Sequence, residues 1–332
     1  MASATVAIVT PTHQRRDSLA RVLAGLSKQS CPQGYFSVVV VCDGCTDGTA
    51  NMIQSTVYPF EIRVIEEAPA LGPAAARNRA LSVAEAELIL FLDDDVVPTE
   101  QLVATHAMRH SEDPNAVVIG TLLAPAEPQQ PWIRWEAETL QKQYADMQSG
   151  AWAPTPRQFY TGNASVRRKH VLAAGGFDSA LRRGEDVELA FRLQRNGARF
   201  VFEPAASGIH YARRSFASWL EAAGDYGRIE AVMEPIGGTR GLVDFKQREF
   251  QGRHPMVRGL VRIGLRSPGL VPVLVGAGRV AGWALARLGL WRLARGIYTA
   301  IFELAYWRGV ESAPAGKAPR QVPLAEANAG NQ

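Results

Sequence analysis

Short unbroken apolar runs recur along the first two thirds of the chain. Six of them read as strands: Thr5-Val-Ala-Ile-Val-Thr10, Phe36-Ser-Val-Val-Val-Val-Cys42, Glu61-Ile-Arg-Val-Ile65, Leu88-Ile-Leu-Phe-Leu92, Ala116-Val-Val-Ile-Gly120 and Arg199-Phe-Val-Phe202. Such runs fit strands buried on both faces of a sheet. Between them the apolar spacing is helical. Leu19, Val22, Leu23 and Leu26 form one face, with Asp17 or Ser18 able to cap its start. A short helix is expected from about Thr46 to Ser55, and another at Ala74–Leu81, opened by Pro73 in proline's favoured first-turn place. Further helices are predicted at Leu102–Met108, about Ile133–Met147, through His170 to Ala174, and around Leu189, Phe191 and Leu193 up to Asn196-Gly197. Alternation of strand and helix predicts an α/β fold: a Rossmann-like open, mostly parallel sheet with right-handed crossovers and flanking helices.

In such sheets ligands bind outside the carboxyl ends of the strands. The polar punctuation falls there each time, at Thr10-Pro11-Thr12, at Cys42-Asp43-Gly44 and at Asp93-Asp94-Asp95. The last is the most informative. A fully apolar strand ends in three carboxylates, and Pro98 then stops it from continuing as a central strand. Three like charges at one buried edge repel one another unless a cation neutralises them. A hard divalent ion with oxygen ligands is the natural partner. A second acidic pair, Glu185-Asp186, opens a helix after Gly184, where the helix dipole favours the ionised form. Ordinary N-terminal capping would explain that pair by itself.

Two stretches depart from the α/β pattern. Pro125–Tyr160 is rich in proline and carries Trp132, Trp135 and Trp152. It reads either as an insertion whose aromatics pack on the body, or as an acceptor-binding wall. The second stretch changes the electrostatic picture. The net charge is +4, but Arg253–Arg308 holds nine arginines, no lysine and one acid, Glu303, so the positive charge is local. Tryptophans 283, 291 and 307 sit there among Leu, Val and Ile. The longest apolar run, Pro268–Gly278, is short for a membrane span and Arg279 follows it. Amphipathic helices lying on an anionic membrane surface are expected, with a packed soluble helical subdomain as the alternative. A nucleic-acid partner is not expected, because these tryptophans suit a bilayer interface or a core better than a stacking platform. The start, Met1-Ala-Ser-Ala-Thr, lacks a basic leader segment, so no signal peptide is expected. Three cysteines are too few for a disulfide framework and suit a reducing compartment. The Cys42-x-x-Cys45 pair has zinc or redox spacing, but a zinc site needs two more ligands and no second pair exists. The tail from Ser312 onward reads as disordered.

Taken in order, the motifs resemble those of family 2 glycosyltransferases. Val6-Ala-Ile-Val-Thr-Pro11-Thr12-His13-Gln14-Arg15 is similar to that family's opening Pro-Thr-Tyr-Asn-Arg segment. Cys42-Asp43-Gly44-Cys45-Thr46-Asp47-Gly48-Thr49 resembles its Asp-Asp-Gly-Ser-Thr-Asp-Gly-Thr, with Cys42 and Cys45 as departures. Gly72-Pro-Ala-Ala-Ala-Arg77-Asn78, Asp93-Asp94-Asp95, Gly162-Asn163-x-Ser165 and Gly184-Glu185-Asp186-Val-Glu188 match later stations, including the DxD motif. The resemblance implies a GT-A fold and transfer of a sugar from a UDP-, GDP- or dTDP-linked donor. It implies that Pro11, Thr12, Arg15, Asp43, Arg77, Asn78, Asp93, Asp94, Gly162 and Asn163 bind the nucleotide-sugar. Asp95 and His210 would bind Mg2+ or Mn2+, and Asp186, with Glu185, would be catalytic, Asp186 as general base. Gln130-Pro-Trp-Ile-Arg134-Trp135 resembles the Gln-x-x-Arg-Trp of processive polysaccharide synthases, but the spacing is one residue too long and it precedes the catalytic acid. Non-processive transfer is therefore expected, to a sugar, lipid-linked or small-molecule acceptor. The expected organisation is a GT-A domain over residues 1–250, divided at 115/116 into donor and acceptor halves, then an amphipathic segment at 251–311 and a tail at 312–332. The expected location is the cytoplasm, peripheral at the inner face of the membrane. Two rival readings are a non-catalytic nucleotide-sugar binder and a haloacid-dehalogenase-type phosphatase. The phosphatase would use Asp93-x-Asp95-x-Val97 as its nucleophile motif, which that family places on its first strand.

Overall fold

The computed structural model describes residues 5–233 and 242–313. These form two compact units, one of residues 5–125 and 143–211, the other of 126–142 and 212–313 without the undescribed stretch. The tail from residue 314 lies outside the described residues, and with it most of the segment expected to be disordered.

The first unit contains β1 (Val6–Thr12), α1 (Arg16–Leu26), β2 (Phe36–Asp43), α2 (Thr49–Gln54), β3 (Glu61–Glu67), α3 (Pro73–Val83), β4 (Leu88–Leu92), β5 (Val96–Pro98), α4 (Leu102–Glu112) and β6 (Ala116–Leu123). After α5 (Pro131–Gln148), whose start belongs to the second unit, it continues with β7 (Asn163–Arg167), α6 (Arg168–Ala173), α7 (Glu185–Arg195) and β8 (Arg199–His210). The eight strands form one mixed sheet in the order β3-β2-β1-β4-β7-β6-β8-β5. The half built from β3, β2, β1 and β4 is parallel throughout, as the apolar runs predict. In the other half β7 is antiparallel to both β4 and β6, β8 is parallel to β6, and β5 is antiparallel to β8.

The inner strands of the parallel half, β1, β2 and β4, are buried because both faces carry helices, while the edge strand β3 is partly exposed. Val6 to Val9 of β1 and Ile89 to Leu92 of β4 have no exposed surface. Ala74, Ala76 and Ala80 of α3 lie in the same core as Val9, Val39, Val41 and Phe91. Small side chains there let the helix seat closely on the sheet. Phe159 and Phe177 then close on Phe91 edge-to-face, at 6.3 and 5.3 Å.

Three features differ from the sequence reading. Asn163-Ala-Ser-Val-Arg167 is a full strand, although its composition is half polar. Its polar side chains are satisfied internally, as described below. Val96–Pro98 does pair, but only as a three-residue antiparallel strand at the end of the sheet, where a missing N–H is tolerated. Residues 126–142, 212–233 and 242–250 group with the carboxyl-terminal helices and not with the sheet. The reason is aromatic packing: Trp132 and Trp135 are buried in one cluster with Phe216, Trp219, Tyr298 and Ile301. For Trp132 and Trp135 the packing role is therefore the one observed.

The second unit adds α8 (Phe216–Met233), α9 (Leu242–Gln251), α10 (Pro255–Arg266), α11 (Val271–Arg287) and α12 (Trp291–Glu311). α12 is its centre, with Tyr298, Leu304 and Tyr306 almost fully buried. Its buried acid, Glu303, is held by Arg253 at 3.1 Å and Lys246 at 3.6 Å. Glycines allow the close approaches. A Cβ on Gly309 would lie 1.9 Å from the Gly224 carbonyl of α8, and one on Gly264 of α10 would lie 2.6 Å from Leu304.

Candidate active site

Because β1, β2 and β4 are parallel neighbours, Thr12, Asp43 and Asp93 come to the same edge of the sheet. The antiparallel β7 brings its start to that edge, where Leu92 pairs with Asn163. Gly162 therefore lies beside Asp93, whose N–H donates to the Gly162 carbonyl at 3.3 Å. A Cβ on Gly162 would sit 3.1 Å from the Asp93 carboxylate. β5 pairs Val96 with His210, which sets His210 next to Asp95.

Two arginines organise the acids. Arg15 donates one Nη to both Asp94, at 3.0 Å, and Asp95, at 2.7 Å. Buried Arg77 donates to Asp93 at 3.0 Å and to Glu185 at 2.8 Å. It thereby joins the end of β4 to the start of α7. The charge repulsion that the sequence alone assigned to a metal is met here, in part, by guanidinium groups. Thr12 donates its hydroxyl to Asp94 at 2.7 Å. Burial is the strongest influence on Asp94 and pushes it up to about 6, against the pull of Arg15 and Thr12. Burial acts on Asp95 too, but His210, 3.4 Å away, and Arg15 outweigh it and hold Asp95 well below the usual carboxylate range. Neighbouring carboxylates thus have opposite tendencies, set by their partners.

Asp186 differs from all of these. Its carboxylate accepts the N–H of Val187 at 2.8 Å, and no cation pairs with it among the described residues. Burial first, and the adjacent Glu185 second, push it up to about 7, against the charge of Arg77 and the Val187 N–H. The dipole at the start of α7 is outweighed. Gly184 precedes the helix with a left-handed φ of 69°, which turns the chain so that both acids enter its first turn.

The remaining predicted residues are arranged around this core. Asp43 accepts the N–H groups of Leu71 at 2.6 Å and Gly72 at 2.9 Å, so it holds the loop that leads into α3. Asn78 clamps Phe177 through both N–H and carbonyl, at 2.8 Å each. Pro11 lies half-buried at the end of β1. Asn163 is expected at the donor, but its side chain is buried in the sheet. It donates to Ala206 and Thr121 and pairs with His106 at 2.9 Å. Its amide fits because Gly120 has no side chain at the irregularity between Ile119 and Thr121. His106 and His110 both contact Ser165 at 2.8 Å, completing a buried polar chain. Burial lowers His106 to about 4 and His110 to about 3, so both stay neutral.

Two further residues shape the edge and carry no role in the sequence reading. Gln14, at φ 54°, donates to Gly44 and Thr46 and ties the β1 loop to the β2 loop. Asp47 accepts from the N–H of Arg16 at 2.9 Å and from Thr49. The Asp47-Gly48-Thr49 pattern is a readable capping signal. The strained Gln14 backbone has no counterpart in composition.

The donor set has room for a metal ion of a particular kind. Asp95 and His210 offer one carboxylate and one imidazole, and among the described residues no cluster of three or more His, Cys, Asp or Glu forms a metal cage. This fits an ion bound through one or two protein groups with the rest of its shell from phosphate oxygens and water.

A family model described as Glycosyl transferase family 2 matches residues 7–174. The pre-mycofactocin glycosyltransferase of Mycobacterium tuberculosis is 28% identical over 234 residues, covering 69% of this chain and 47% of that protein. The uncharacterized glycosyltransferase YfnE of Bacillus subtilis is 27% identical over 251 residues, covering 61% of this chain and 64% of that protein. The chain thus spans only about half to two thirds of the length of these relatives. Among solved structures, the mannosyltransferase PcManGT of Pyrobaculum calidifontis, in complex with GDP-Man and Mn2+, aligns with a TM-score of 0.67 at 19% identity, over 94% of this chain and 89% of that one. TarS 1-349 of S. aureus in complex with UDP aligns at 0.54 and 18% identity, over 92% and 90%. At these identities the likeness is one of fold, the GT-A fold. The matched span runs from β1 through α6 and takes in Pro11, Asp43, Arg77 and all three aspartates that end β4; covering more than half the sequence, it makes this chain a member of glycosyltransferase family 2.

Proposed function

We propose that the protein moves one sugar from a nucleotide-diphosphosugar to an acceptor hydroxyl, by a single inverting displacement and without processivity. The observation that carries this reading is the division of labour among the acids. Asp93, Asp94, Asp95 and Glu185 each bond to an arginine, whereas among the described residues no cation forms an ion pair with Asp186, on which Arg77 acts only through its charge, and Asp186 is pushed up to about 7. A carboxylate in that condition can take a proton at neutral pH without first breaking an ion pair. Asp186 accepts the acceptor's hydroxyl proton as the new oxygen–carbon bond forms at the anomeric carbon. The bond to the diphosphate breaks, and its electron pair leaves on the diphosphate. Glu185 acts as a positioning residue, through Arg77.

Thr12, Pro11 and Arg15 line the nucleotide pocket in this reading. Each Asp43 oxygen has a lone pair beyond those used by Leu71 and Gly72, and these read the base. Asp93, Asp94, Gly162 and Arg77 face the sugar and diphosphate, while Asn78 and Asn163 support the site from behind. Asp95 and His210 would hold Mg2+ or Mn2+. Such an ion supplies charge neutralisation for the leaving diphosphate, whose own charge exceeds what Arg15 and Arg77 leave unspent. The acceptor is read as lipid-linked or amphiphilic in preference to a free sugar or small molecule, and the location as the inner face of the membrane, because the helical unit has an open apolar face. Calorimetry with UDP-, GDP- and dTDP-sugars, each with Mn2+ or Mg2+, tests the donor side. One nucleotide class should bind in a metal-dependent way and lose that dependence in Asp95→Ala. Absence of binding by every nucleotide-sugar would sink the reading.

A further inference from the structure

The stretch from α10 through α11 to the start of α12 is unlike the other described residues in what it leaves uncovered. Met256 is 74% exposed, Val280 69%, Leu288 73% and Leu293 60%, and Leu260, Ile263, Leu270, Val273, Trp283 and Leu290 are exposed too. These are most of the large exposed apolar side chains among the described residues, and all fall within one stretch of chain. On α10, Met256, Leu260 and Ile263 follow the i, i+4, i+7 spacing of a single stripe, while Val257, Val261 and Gly264 turn inward. Arg258, Arg262 and Arg266 run beside that stripe at four-residue steps. On α11, Val273, Val280 and Trp283 share the outward face, with Gly276 and Ala277 between them.

Both helices seat on α12. Gly264 of α10 meets Leu304; Gly278 and Gly282 of α11 meet Ile301 and Tyr298. Since they rest on neighbouring residues of one helix, their outward faces lie on the same side of this unit. Exposed arginines accompany these faces along the same stretch of chain, two on α10, two on α11 and two at the start of α12. Arg262, Arg266, Arg279, Arg287, Arg292 and Arg295 are exposed, no acidic residue occurs from His254 to Phe302, and no carboxylate pairs with these arginines among the described residues. Arg287 lies over the Trp283 ring at 4.8 Å. A protein partner of ordinary composition would leave this many unpaired cations unmatched, whereas an anionic lipid surface offers phosphates beside hydrocarbon.

We propose that the α10–α11 face docks on an anionic bilayer, with the apolar stripes in the outer part of one leaflet and the arginines at the phosphates. The surface lies on α10 and α11 and does not span. Pro268–Arg287 has the length and apolarity to cross, with a mean hydropathy of 1.5. But Arg279 falls inside it and stacks over Phe216 at 5.0 Å, and Gly278 and Gly282 are packed on α12. Crossing would strip that packing. The inference stands on the helical unit alone and survives failure of the sugar-transfer reading.

Flotation of the full chain with vesicles tests it, using phosphatidylglycerol–phosphatidylcholine against phosphatidylcholine alone. Binding should be strong on the anionic vesicles, weak on the neutral ones and weaker in high salt. Charge reversal in R262E/R266E/R287E/R292E should weaken binding by roughly 100-fold or more. The apolar variant M256S/L260S/I263S/V280S/W283S should lose about 10-fold or more while keeping its circular dichroism and thermal midpoint, since all five side chains are exposed. The proposal is overturned by equal flotation of wild type and charge-reversed protein, or by no binding to anionic vesicles. Two other results also overturn it: retention in the membrane after alkaline carbonate extraction, and lipid-free dimerisation that the serine variant abolishes in a protein that ignores vesicles.

Discussion

Asp186 next to Glu185 is a titratable group whose surroundings favour the protonated form. Its ordinary value is 3.8, and burial and Glu185 push it up to about 7. If it is the general base, kcat/KM should rise with pH through about 7 and level off above it, whereas an unperturbed aspartate would place that limb near pH 4. A pH–rate profile checks this. The same shift has a consequence for stability. The folded protein retains a proton that the unfolded chain releases between about pH 4 and 7, so Asp186 costs stability as pH rises through that window. Asp186→Asn should therefore melt higher than wild type at pH 8 and equally at pH 4, which differential scanning calorimetry can read. Arg77 behaves oppositely. Removing it leaves Asp93 and the buried Glu185 without their cation, and Arg77→Ala should destabilise by about 3–5 kcal/mol in urea titration, with Arg77→Lys intermediate. The residue types at this edge were readable from the strand ends, down to Asp93-Asp94-Asp95. Their pairing was not. Arg77 and Glu185 are 108 residues apart, and nothing local to either announces the other.

At the level of elements, the legible strands are those buried on both faces. β1, β2 and β4 are runs of Val, Ile, Leu and Phe because nothing polar fits between two helical layers. β7 escaped that reading because Asn163 and Ser165 are polar and yet almost fully buried. They are satisfied by His106, His110, Thr121 and Ala206, partners supplied by α4, β6 and β8. Tertiary contacts override composition there. The expectation is that Asn163→Ala costs about 3 kcal/mol, since it orphans two carbonyls and an imidazole in the sheet. A loss below about 1 kcal/mol by chemical denaturation would mean that water replaces the amide. The reading of Glu185-Asp186 as ordinary helix capping also fails on local grounds. Glu185 is spent on Arg77, and Asp186 caps only weakly, through its neighbour Val187.

For the whole molecule, the alternation of apolar runs was enough to indicate the sheet but not the division into two units. The proline- and tryptophan-rich stretch reads as an insertion into the sheet domain, and its tryptophans instead fill the core of the helical unit. Aromatic side chains reveal that they will be buried, not against what. On the proposed account, donor and metal should together act on the fold as a ligand does. A nucleotide-sugar at about 100 times its Kd should stabilise the protein by about 2.7 kcal/mol, with little effect once EDTA removes the divalent ion. The central claim is that holding the donor and removing the proton belong to different carboxylates. Comparing Asp186→Asn with wild type, for donor affinity by calorimetry and for transfer by single-turnover kinetics, tests it most directly. The account predicts unchanged donor affinity with transfer reduced by about 10²–10⁴-fold. Transfer at the wild-type rate, or donor binding lost along with transfer, would contradict it.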